Sequence, residues 1–359
     1  MKILYYPKFD GKNYSVKIFE NCLRCAGFDI AIFSKNIIKI LFTKSDFAYL
    51  QWFENLPSDK PKMFANIIFK IIIFYIFKLK NIKVIFVMHN KVAHDKDVAT
   101  YSRFMLRFIL KRAYKIAILC DVTKTEIMKI VGNYNYKKNN YEAKIFKIPH
   151  PNYIDVYPKS QNTTFHKIHK NIKEEFTFIF IGMIRPYKNV DVVIKAFKEA
   201  NLQNSRLVVI GKPHPIEYGN RIKELAGDNE RINIISKFID DSEMDGIISK
   251  ADVIVLPYDK RSSLNSGVAY LAFSYAKTII SPPTGTVMEF KDYKDCMYIY
   301  DYHDTDDHIK QLINKFKQAY NDWKQDKQNF RKKGEKLFSV VKKQNSRSAL
   351  TAAYKHNIS

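Results

Sequence analysis

The sequence predicts an α/β protein with two Rossmann-like, doubly wound parallel-sheet domains that face each other across a cleft. Three observations predict this fold class. A chain of 359 residues is too long for one ordinary core and suits two domains of about 150–200 residues. Runs with strand character alternate with helical patterns along the chain. The strand-like runs are apolar on both faces, as in parallel sheets covered by helices.

The first alternating series occupies residues 1–156. Its predicted strands are Lys2–Pro7, Phe28–Phe33, Phe47–Trp52, Ile82–Met88, Lys115–Cys120 and Lys144–Pro149. Its predicted helices are Tyr14–Ala26, Lys62–Lys78, Val98–Ala113 and Thr123–Val131. In the first of these helices Val16, Phe19 and Leu23 recur at helical spacing, which predicts one buried face.

A polar stretch without apolar periodicity, residues 157–175, predicts a linker between the domains. The second series follows over residues 176–330. Its predicted strands are Phe176–Gly182, Arg206–Gly211, Ile232–Ser236, Asp252–Tyr258 and Thr278–Pro282, and its predicted helices are Val190–Ala200, Asp241–Ala251, Ser266–Ala276 and Asp306–Tyr320. Residues 331–359 are basic with a helical pattern, and we expect a tail that can pack back on the first domain.

The charge is strongly basic, with 60 Lys and Arg against 36 Asp and Glu and a net charge of +24. This balance predicts attraction to nucleic acid, an anionic membrane or phosphorylated small molecules. A Lys-rich genome that fills solvated faces with lysine explains the charge equally well. The basic residues are spread along the chain and no nucleic-acid-binding module is present, so we expect no specific nucleic-acid partner.

Residues Met63–Phe77 are nearly all apolar except for Asn66 and Lys70. The segment is shorter than the ~20 residues that span a bilayer, and Lys70 lies in its middle. Two interpretations remain open. The segment is either a buried helix or a helix in the membrane interface, with its lysines facing lipid headgroups.

The cysteines and the start of the sequence bear on location. Cys22 and Cys25 have C-x-x-C spacing, but no second pair or histidine cluster accompanies them at metal-ligand spacing. We therefore expect structural cysteines in a reducing compartment. No signal peptide is visible after Met1, which favours a cytoplasmic location.

The strongest local signal for chemistry is the turn after the strand Phe176–Gly182. Gly182 permits close approach of a ligand to the backbone, and Arg185 and Lys188 follow at the start of a helix. Two cations and the N–H groups of a helix start form a phosphate site. The alternative is two solvated cations on a loop of a basic protein. The pattern G-x-G-x-x-G is absent here, so we expect no dinucleotide cofactor.

Two further turns of the second domain carry suitable residues. After the strand that ends at Tyr258, the residues Asn265, Ser266 and Gly267 open an apolar helix, where they could donate to a diphosphate or simply cap the helix. Glu289 follows a Pro/Gly loop. It could accept hydrogen bonds from ribose or sugar hydroxyls, or it could be a glutamate at a helix start that favours the helix dipole.

In the first domain, polar residues follow several predicted strands. Histidine and carboxylate side chains there suit acid–base chemistry or phosphate contacts, although a lone histidine is usually structural. The candidates are Asp10, Gly11 and Asn13 after the first strand, His89, Asn90, His94 and Asp95 after the fourth, and His150 before the linker.

These motifs resemble the GT-B-fold glycosyltransferases with a group 1 type C-terminal domain, which build bacterial surface polysaccharides. The resemblance covers most of the chain and keeps its order. The matching pieces in the second domain are Gly182 with Arg185-Pro-Tyr-Lys188, Val208–Gly211, Ala251–Tyr258, Ser266-Gly267-Val268 and the loop that ends at Glu289. Those in the first domain are His89-Asn90 with His94, and Pro149-His150-Pro151.

The resemblance implies that residues 1–156 bind the acceptor and residues 176–330 bind a nucleotide sugar. Arg185 and Lys188 would grip the donor diphosphate, and the turn at Ser266, Gly267 and Val268 would hold it from the opposite side. Glu289 would approach the ribose. Lys237 and Phe238 would lie beside the nucleobase. Gly211, Tyr258 and Asn265 would complete the donor side.

The chain departs from the family pattern at one point. Retaining members carry two glutamates around the glycine that corresponds to Gly267, whereas the matching positions here are Leu264 and Ala272. An inverting mechanism is then an alternative, and it needs a general base in the first domain. The candidates are His94 and Asp95. No D-x-D triplet occupies a donor position, and we expect no metal.

Taken together, these residues predict a metal-independent hexosyltransferase that moves a sugar from a nucleoside-diphosphate sugar to a lipid-linked saccharide or an oligosaccharide in surface polysaccharide synthesis. Its expected location is cytoplasmic and peripheral, on an anionic membrane surface at the inner face of the cell membrane. The alternatives are a sugar-nucleotide epimerase of the same fold, a basic nucleic-acid-binding protein and a scaffold without activity.

Overall fold

The computed structural model describes residues 1–11, 13–91, 96–159 and 175–358. The chain divides into two compact units, of which the first is made of three segments and the second of two. The first unit comprises Met1–Pro151, Arg261–Asn265 and Asn345–Ser359. The second unit comprises Asn152–Lys260 and Ser266–Gln344. Most of the predicted linker, including residues 160–174, lies outside the described residues.

The first unit is built on a parallel sheet, which has six strands in the described part of the chain. The strand order is β2-β1-β3-β4-β5-β6. The strands are β1 (Lys2–Tyr6), β2 (Asp29–Ile32), β3 (Phe47–Gln51), β4 (Lys83–Met88), β5 (Lys115–Ile118) and β6 (Ile145–Lys147). Every residue of the central strand β3 is buried, because helices cover both faces of the sheet.

Helices connect these strands and pack against the sheet. They are α1 (Tyr14–Cys25), α2 (Ile37–Phe42), α3 (Lys60–Leu79), α4 (Lys96–Arg112), α5 (Val122–Val131), α6 (Asn133–Lys138) and α7 (Tyr141–Lys144). Right-handed crossovers put α1 on one face of the sheet and the other helices on the opposite face. Accordingly, one large core cluster joins the sheet to α2 through α7 without a residue of α1. On the other face, α1 packs against α15 (Arg347–Ile358).

The second unit repeats this architecture. In its described residues six parallel strands follow the order β12-β11-β10-β7-β8-β9. The strands are β7 (Phe176–Ile181), β8 (Ser205–Ile210), β9 (Ile232–Ile235), β10 (Val253–Val255), β11 (Thr278–Ser281) and β12 (Tyr298–Ile299). The helices are α8 (Val190–Ala200), α9 (Ile216–Ala226), α10 (Asp241–Lys250), α11 (Gly267–Ser274), α12 (Gly285–Glu289), α13 (Thr305–Gln325) and α14 (Lys327–Gln344).

The predicted fold class of two Rossmann-like parallel sheets is confirmed. Each predicted strand is present, and most end one or more residues earlier than predicted, because those last residues already belong to the turn that follows. The sequence pattern missed the helices α2, α6, α7 and α12, which have four to six residues, the 11-residue helix α9, and β12, which has only two residues. None of the four cysteines forms a disulfide, and the Cys22 thiol donates to the carbonyl of Arg347 over 3.6 Å.

The apolar segment around Lys70 forms most of α3, and its lysines differ in environment. The Lys70 side chain is buried, and its Nζ donates to the carbonyl of Asn55 over 2.5 Å. The Nζ of Lys80 donates to the carbonyls of Ile40, Leu41 and Thr43 at the end of α2. Lys70 therefore does not face lipid headgroups, which corrects that part of the interfacial interpretation. No helix in the described ranges combines the length and apolar character that crossing a bilayer requires.

Candidate functional site

Two glycine turns lie side by side at the carboxyl ends of β7 and β8. The N–H of Gly182 donates to the carbonyl of Ile210 over 3.0 Å. A Cβ on Gly211 would lie 2.0 Å from the carbonyl oxygen of Gly182, so these backbones approach more closely than any side chain permits. Gly182 has φ +116°, a conformation that residues with a Cβ rarely adopt. Glycine is therefore required at both positions for the turns to pack.

The ammonium group of Lys188 lies above this turn, and no carboxylate in the described part of the chain pairs with it. Its Nζ is 3.2 Å from the point where a Cβ of Gly182 would stand. It also lies 5.2 Å from the ring centroid of Tyr258 and 5.8 Å from that of Phe180. Burial, together with the neighbouring guanidinium of Arg185, lowers the pKa of Lys188 to about 8. Ion pairs to this lysine are absent among the described residues.

Arg185 precedes a short 3-10 helix, Pro186–Lys188, that follows the glycine turn. Its Nε is buried, and no described residue accepts a hydrogen bond from it. A buried guanidinium nitrogen without an acceptor loses hydration and gains nothing in return. A ligand with anionic oxygens would supply the missing acceptor, and the guanidinium fork suits a phosphate.

Two hydrogen bonds to main-chain carbonyls fix the loop that carries these cations. Asn189 has φ +48°, and its side-chain amide donates to the carbonyl of Pro257 over 2.9 Å. The N–H of Asp259 donates to the carbonyl of Tyr187 over 2.9 Å. The loops that follow β7 and β10 are thereby held together, which places Tyr258 beside Lys188.

The start of α11 adjoins the glycine turn. The Cγ2 of Val268 lies 3.9 Å from the point where a Cβ of Gly182 would stand. Ser266 caps this helix, because its Oγ accepts from the N–H of Ala269 over 3.2 Å and its own N–H donates to Thr286 over 2.8 Å. The cap therefore uses the Ser266 hydroxyl. The N–H groups of Gly267 and Val268 belong to the first turn, which lacks intrahelical acceptors.

The other predicted donor residues of the second unit have more varied environments. Glu289 is the half-buried last residue of α12, so it does not lie at a helix start as one interpretation required. Lys237 follows β9 and pairs with Glu243, its Nζ lying 2.6 Å from one carboxylate oxygen. Phe238 is exposed and could stack on a planar base. Asn265 belongs to the first unit, where its amide donates to the carbonyl of His89 over 2.9 Å.

In the first unit, His89 is held in a buried network at the carboxyl end of β4. Its ring stacks on Trp52 at 3.9 Å between centroids, and its Nε2 lies 3.0 Å from Oε1 of Gln51. The amide nitrogen of Gln51 donates to the hydroxyl of Tyr5, which in turn donates to the carbonyl of Val16. Gln51 can then only accept from His89, so Nε2 carries the proton. Burial, with His150 nearby, holds the pKa of His89 well below its usual range.

His150 is also buried, and burial lowers its pKa to about 4. Its Nδ1 lies 2.9 Å from the carbonyl of Pro151, and its own carbonyl accepts from the amide of Asn345. Both histidines are thus neutral and have packing partners, and neither is poised to take up a proton near neutral pH.

The remaining candidates of the first unit separate into three groups. Asn13 caps α1, and its Oδ1 accepts from the N–H and the hydroxyl of Ser15. Asp10, Gly11 and Asn90 lie in the loops that follow β1 and β4. The candidate bases His94 and Asp95 fall outside the described residues.

The two positions that match the family glutamates are fully buried. Leu264 and Ala272 have no exposed surface. A carboxylate at either position would be desolvated without a partner. Apolar side chains therefore suit these two buried positions better than glutamate.

Several residues that shape these sites escaped the sequence analysis. Gln51 and Trp52 fix the ring of His89, yet the sequence marks them only as the end of a strand. Asn189 fixes the loop that carries Arg185 and Lys188, and its backbone has a left-handed conformation. An asparagine before a helical pattern predicts such a conformation only weakly. The described residues contain no cluster of three or more His, Cys, Asp or Glu side chains arranged to hold a metal ion.

Comparison with known protein families gives a match that covers most of the second unit. Residues 161–337 match the family described as Glycosyl transferases group 1. A curated relative, the GDP-mannose:glycolipid 4-beta-D-mannosyltransferase of Xanthomonas campestris pv. campestris, is 25% identical over 104 residues. The match spans 29% of this chain and 29% of the relative's own length.

Solved structures match over the whole chain. Anabaena HepE in complex with UDP and glucose has a TM-score of 0.73 at 11% identity, covering 100% of this chain and 99% of that one. A glycosyltransferase from Rickettsia africae has a TM-score of 0.64 at 15% identity, covering 99% and 97%. At these identities the likeness establishes the fold, which is the GT-B type.

Proposed function

Because residues 161–337 make this chain a member of the glycosyl transferases group 1 family, we propose that it transfers a sugar from a nucleoside-diphosphate sugar to a saccharide acceptor. One observation carries the proposal. At the Gly182 turn, two cations lie close together, partly dehydrated, and without a described carboxylate partner. Such an arrangement costs free energy in the empty protein and is stabilised when an anionic ligand binds.

The proposed role of this turn is to stabilise the leaving diphosphate. Negative charge develops on the diphosphate as its bond to the sugar breaks. Arg185, Lys188 and the first N–H groups of α11 are fixed before that happens, so they stabilise the charge with little reorganisation. We propose that these groups suffice without a metal, and that Phe238 stacks on the base while Glu289 accepts from ribose hydroxyls.

We propose a lipid-linked saccharide as the acceptor and an anionic membrane surface as the place of reaction. Support comes from the curated relative, whose name specifies a glycolipid acceptor, and from the basic charge of this chain. The first unit would bind the acceptor. The base and the sugar of the donor are not identified by these observations. HepE was solved with UDP, whereas the name of the curated relative specifies GDP-mannose.

Binding of nucleoside diphosphates tests the donor site directly. Purified protein is titrated calorimetrically with UDP, GDP, CDP, ADP and TDP. We expect one of them to bind selectively, and Arg185→Ala with Lys188→Ala to weaken that binding at least a hundredfold, since two charge-assisted contacts are lost. Arg331→Ala with Lys332→Ala is the matched control, because it removes one arginine and one lysine from the exposed side of α14. Equal losses in both double variants would refute the site.

We further propose inversion at the anomeric carbon, because Leu264 and Ala272 replace the two family glutamates. A general base would come from His94 or Asp95. Once the donor nucleotide is known, His94→Ala and Asp95→Asn separate the candidates. The variant that removes the base is expected to lower kcat at least a hundredfold with little change in donor affinity. Retention of configuration in the product, measured by NMR, would overturn the inverting mechanism.

A further inference from the structure

The outer face of α3 carries an unbroken apolar stripe. Phe64, Ile68, Ile72, Tyr75 and Leu79 recur at helical spacing and are between 41% and 84% exposed. The buried side chains Ile73, Phe74, Ile76 and Phe77 of α3 pack in the core cluster of the sheet, whereas no stripe residue belongs to that cluster. A contiguous apolar surface of this length on one helix marks an interaction site rather than scattered surface residues.

The stripe extends at both ends. At the start of α3, the ring of Phe64 packs edge-on against the exposed ring of Tyr101 on α4, with centroids 5.5 Å apart. At its end, Lys80 binds the last carbonyls of α2, which brings the exposed side chain of Phe42 into the same region. The apolar surface therefore spans three neighbouring helices on one face of the sheet.

A cationic pocket of about 760 Å³ opens where the stripe ends. It lies at the amino ends of β4 and β5, and no described residue that lines it is acidic. Its cations are Lys78, Lys83, Lys111 and Arg112, and its walls include Phe74, Tyr75, Phe77, Ile82, Val84 and Tyr114. Tyr75 belongs to both the stripe and the pocket, so the two features are continuous.

Two of the four pocket cations, Lys83 and Arg112, rest on aromatic faces. The Nζ of Lys83 lies 4.8 Å from the ring centroid of Tyr114, and the guanidinium of Arg112 lies 3.8 Å from that of Phe108. Ion pairs to the four cations are absent in the described part of the chain. Lysines and arginines in the last turns of α3 and α4 also favour the helix dipoles. Lys83, however, begins a strand, and the dipoles do not account for it.

We propose that this pocket binds the phosphate headgroup of an anionic phospholipid while the α3 stripe lies in the acyl region of the bilayer. Apolar area beside clustered cations is the combination that binds an anionic interface. A second copy of the chain fits less well, since a two-fold contact would bring like charges together. The inference deepens the membrane part of the proposed function by naming its surface and ligand.

Sedimentation with lipid vesicles, without donor or acceptor, tests the proposal. We expect the protein to bind vesicles of phosphatidylcholine with phosphatidylglycerol and to bind phosphatidylcholine alone at least tenfold less well. Lys111→Ala with Arg112→Ala should weaken binding to the anionic vesicles about tenfold. Arg347→Ala with Lys355→Ala removes the same residue types from α15 on the other face of the sheet, and it should change binding less than about twofold.

Ile68→Ser with Ile72→Ser should weaken vesicle binding as strongly as the pocket variant, but without changing its salt dependence. Thermal melting and nucleoside-diphosphate binding of each variant should match the parent protein, which separates this proposal from the donor site. Absence of binding to anionic vesicles would overturn the proposal. Equal losses in the α4 and α15 variants, or a dimer in solution that the stripe variant dissociates, would overturn it too.

Discussion

At the scale of single residues, the donor site depends on a lysine whose charge is easily removed. Burial beside Arg185 lowers the pKa of Lys188 to about 8. Below that pH the ammonium is charged and attracts a diphosphate. Above it the free protein holds a growing fraction of neutral amine, which must take up a proton before it binds the anion.

Donor-diphosphate affinity should therefore fall above pH 8, by up to tenfold for each further pH unit. Lys188→Arg should bind with an affinity that stays constant from pH 8 to pH 10, since a guanidinium remains charged there. Calorimetric titration with the preferred nucleoside diphosphate over pH 7 to 10 measures both proteins. A constant affinity in the parent protein would contradict the role of Lys188.

Gly211→Ala is predicted to destabilise the second unit by about 3 kcal/mol, because the new Cβ would clash with the carbonyl of Gly182. Gly227→Ala is the comparison. Gly227 has φ +57° and ψ −147°, which strains any residue with a Cβ, but a Cβ there meets no atom closer than 3.8 Å, and we expect a smaller cost of about 1–2 kcal/mol. Urea unfolding gives both values, and equal costs would mean that the close approach is not what requires glycine.

The residue scale also shows what the sequence can reveal. Gly182, Arg185 and Lys188 stand within seven positions after an apolar strand, so a local pattern predicts them. The contact of Gly182 with Gly211, the ring of Tyr258 beside Lys188 and the network of Gln51 with His89 join distant positions. Those depend on strand order, which composition and periodicity do not specify.

At the scale of elements, helix α3 has an exposed apolar face and also carries a buried ionisable side chain, Lys70. Lys70 and Glu54 are both buried, and both carboxylate oxygens of Glu54 lack hydrogen-bond partners among the described residues. Burial raises the pKa of Glu54 to about 7, although Lys70 opposes that shift, and burial lowers the pKa of Lys70 to about 8. The periodicity of the sequence predicts the helix, but it does not show which way Lys70 points.

This burial predicts a pH-dependent stability. Between pH 4.5 and about 7, Glu54 keeps its proton in the folded state and loses it in the unfolded state. The free energy of unfolding should therefore decrease with rising pH across that window, by at most about 3 kcal/mol from this group. Glu54→Gln should make the decrease shallower. Denaturant unfolding at pH 5, 6 and 7 measures it, and identical slopes would contradict the prediction.

Most of the elements that the sequence did not predict have few residues, although α9 has 11. β12 has two residues, and its place in the sheet comes from pairing with β11 over Ile280 and Ser281. Helix α2 has six residues, too few for periodicity to separate it from a strand. Strongly patterned elements such as α8 agree with the predicted bounds because propensity and burial favour the same structure there.

At the scale of the whole molecule, the last helix completes the first unit. The hydroxyls of Tyr354 and Tyr49 lie 2.7 Å apart in the core, and Leu350 is fully buried. Deletion of residues 346–359 should expose this core face of α1 and the sheet. We expect the melting temperature of the first unit to fall by at least 10 °C, whereas that of the second unit changes little.

Differential scanning calorimetry with limited proteolysis measures this, because fragments identify which unit unfolds. The double substitution Lys342→Ala with Lys343→Ala in α14 is a control that alters the tail without touching the first unit. A deletion that lowers both transitions equally would contradict the assignment of α15 to the first unit.

The return of α15 has a consequence for synthesis on the ribosome. Translation produces residues 152–344 before residues 345–359, although the latter belong with residues 1–151. The second unit can thus finish folding on a nascent chain while the first still lacks a helix that covers Tyr49. During that interval one apolar face of the nascent first unit stays uncovered, and it is a natural target for a chaperone until α15 has left the ribosome and docked.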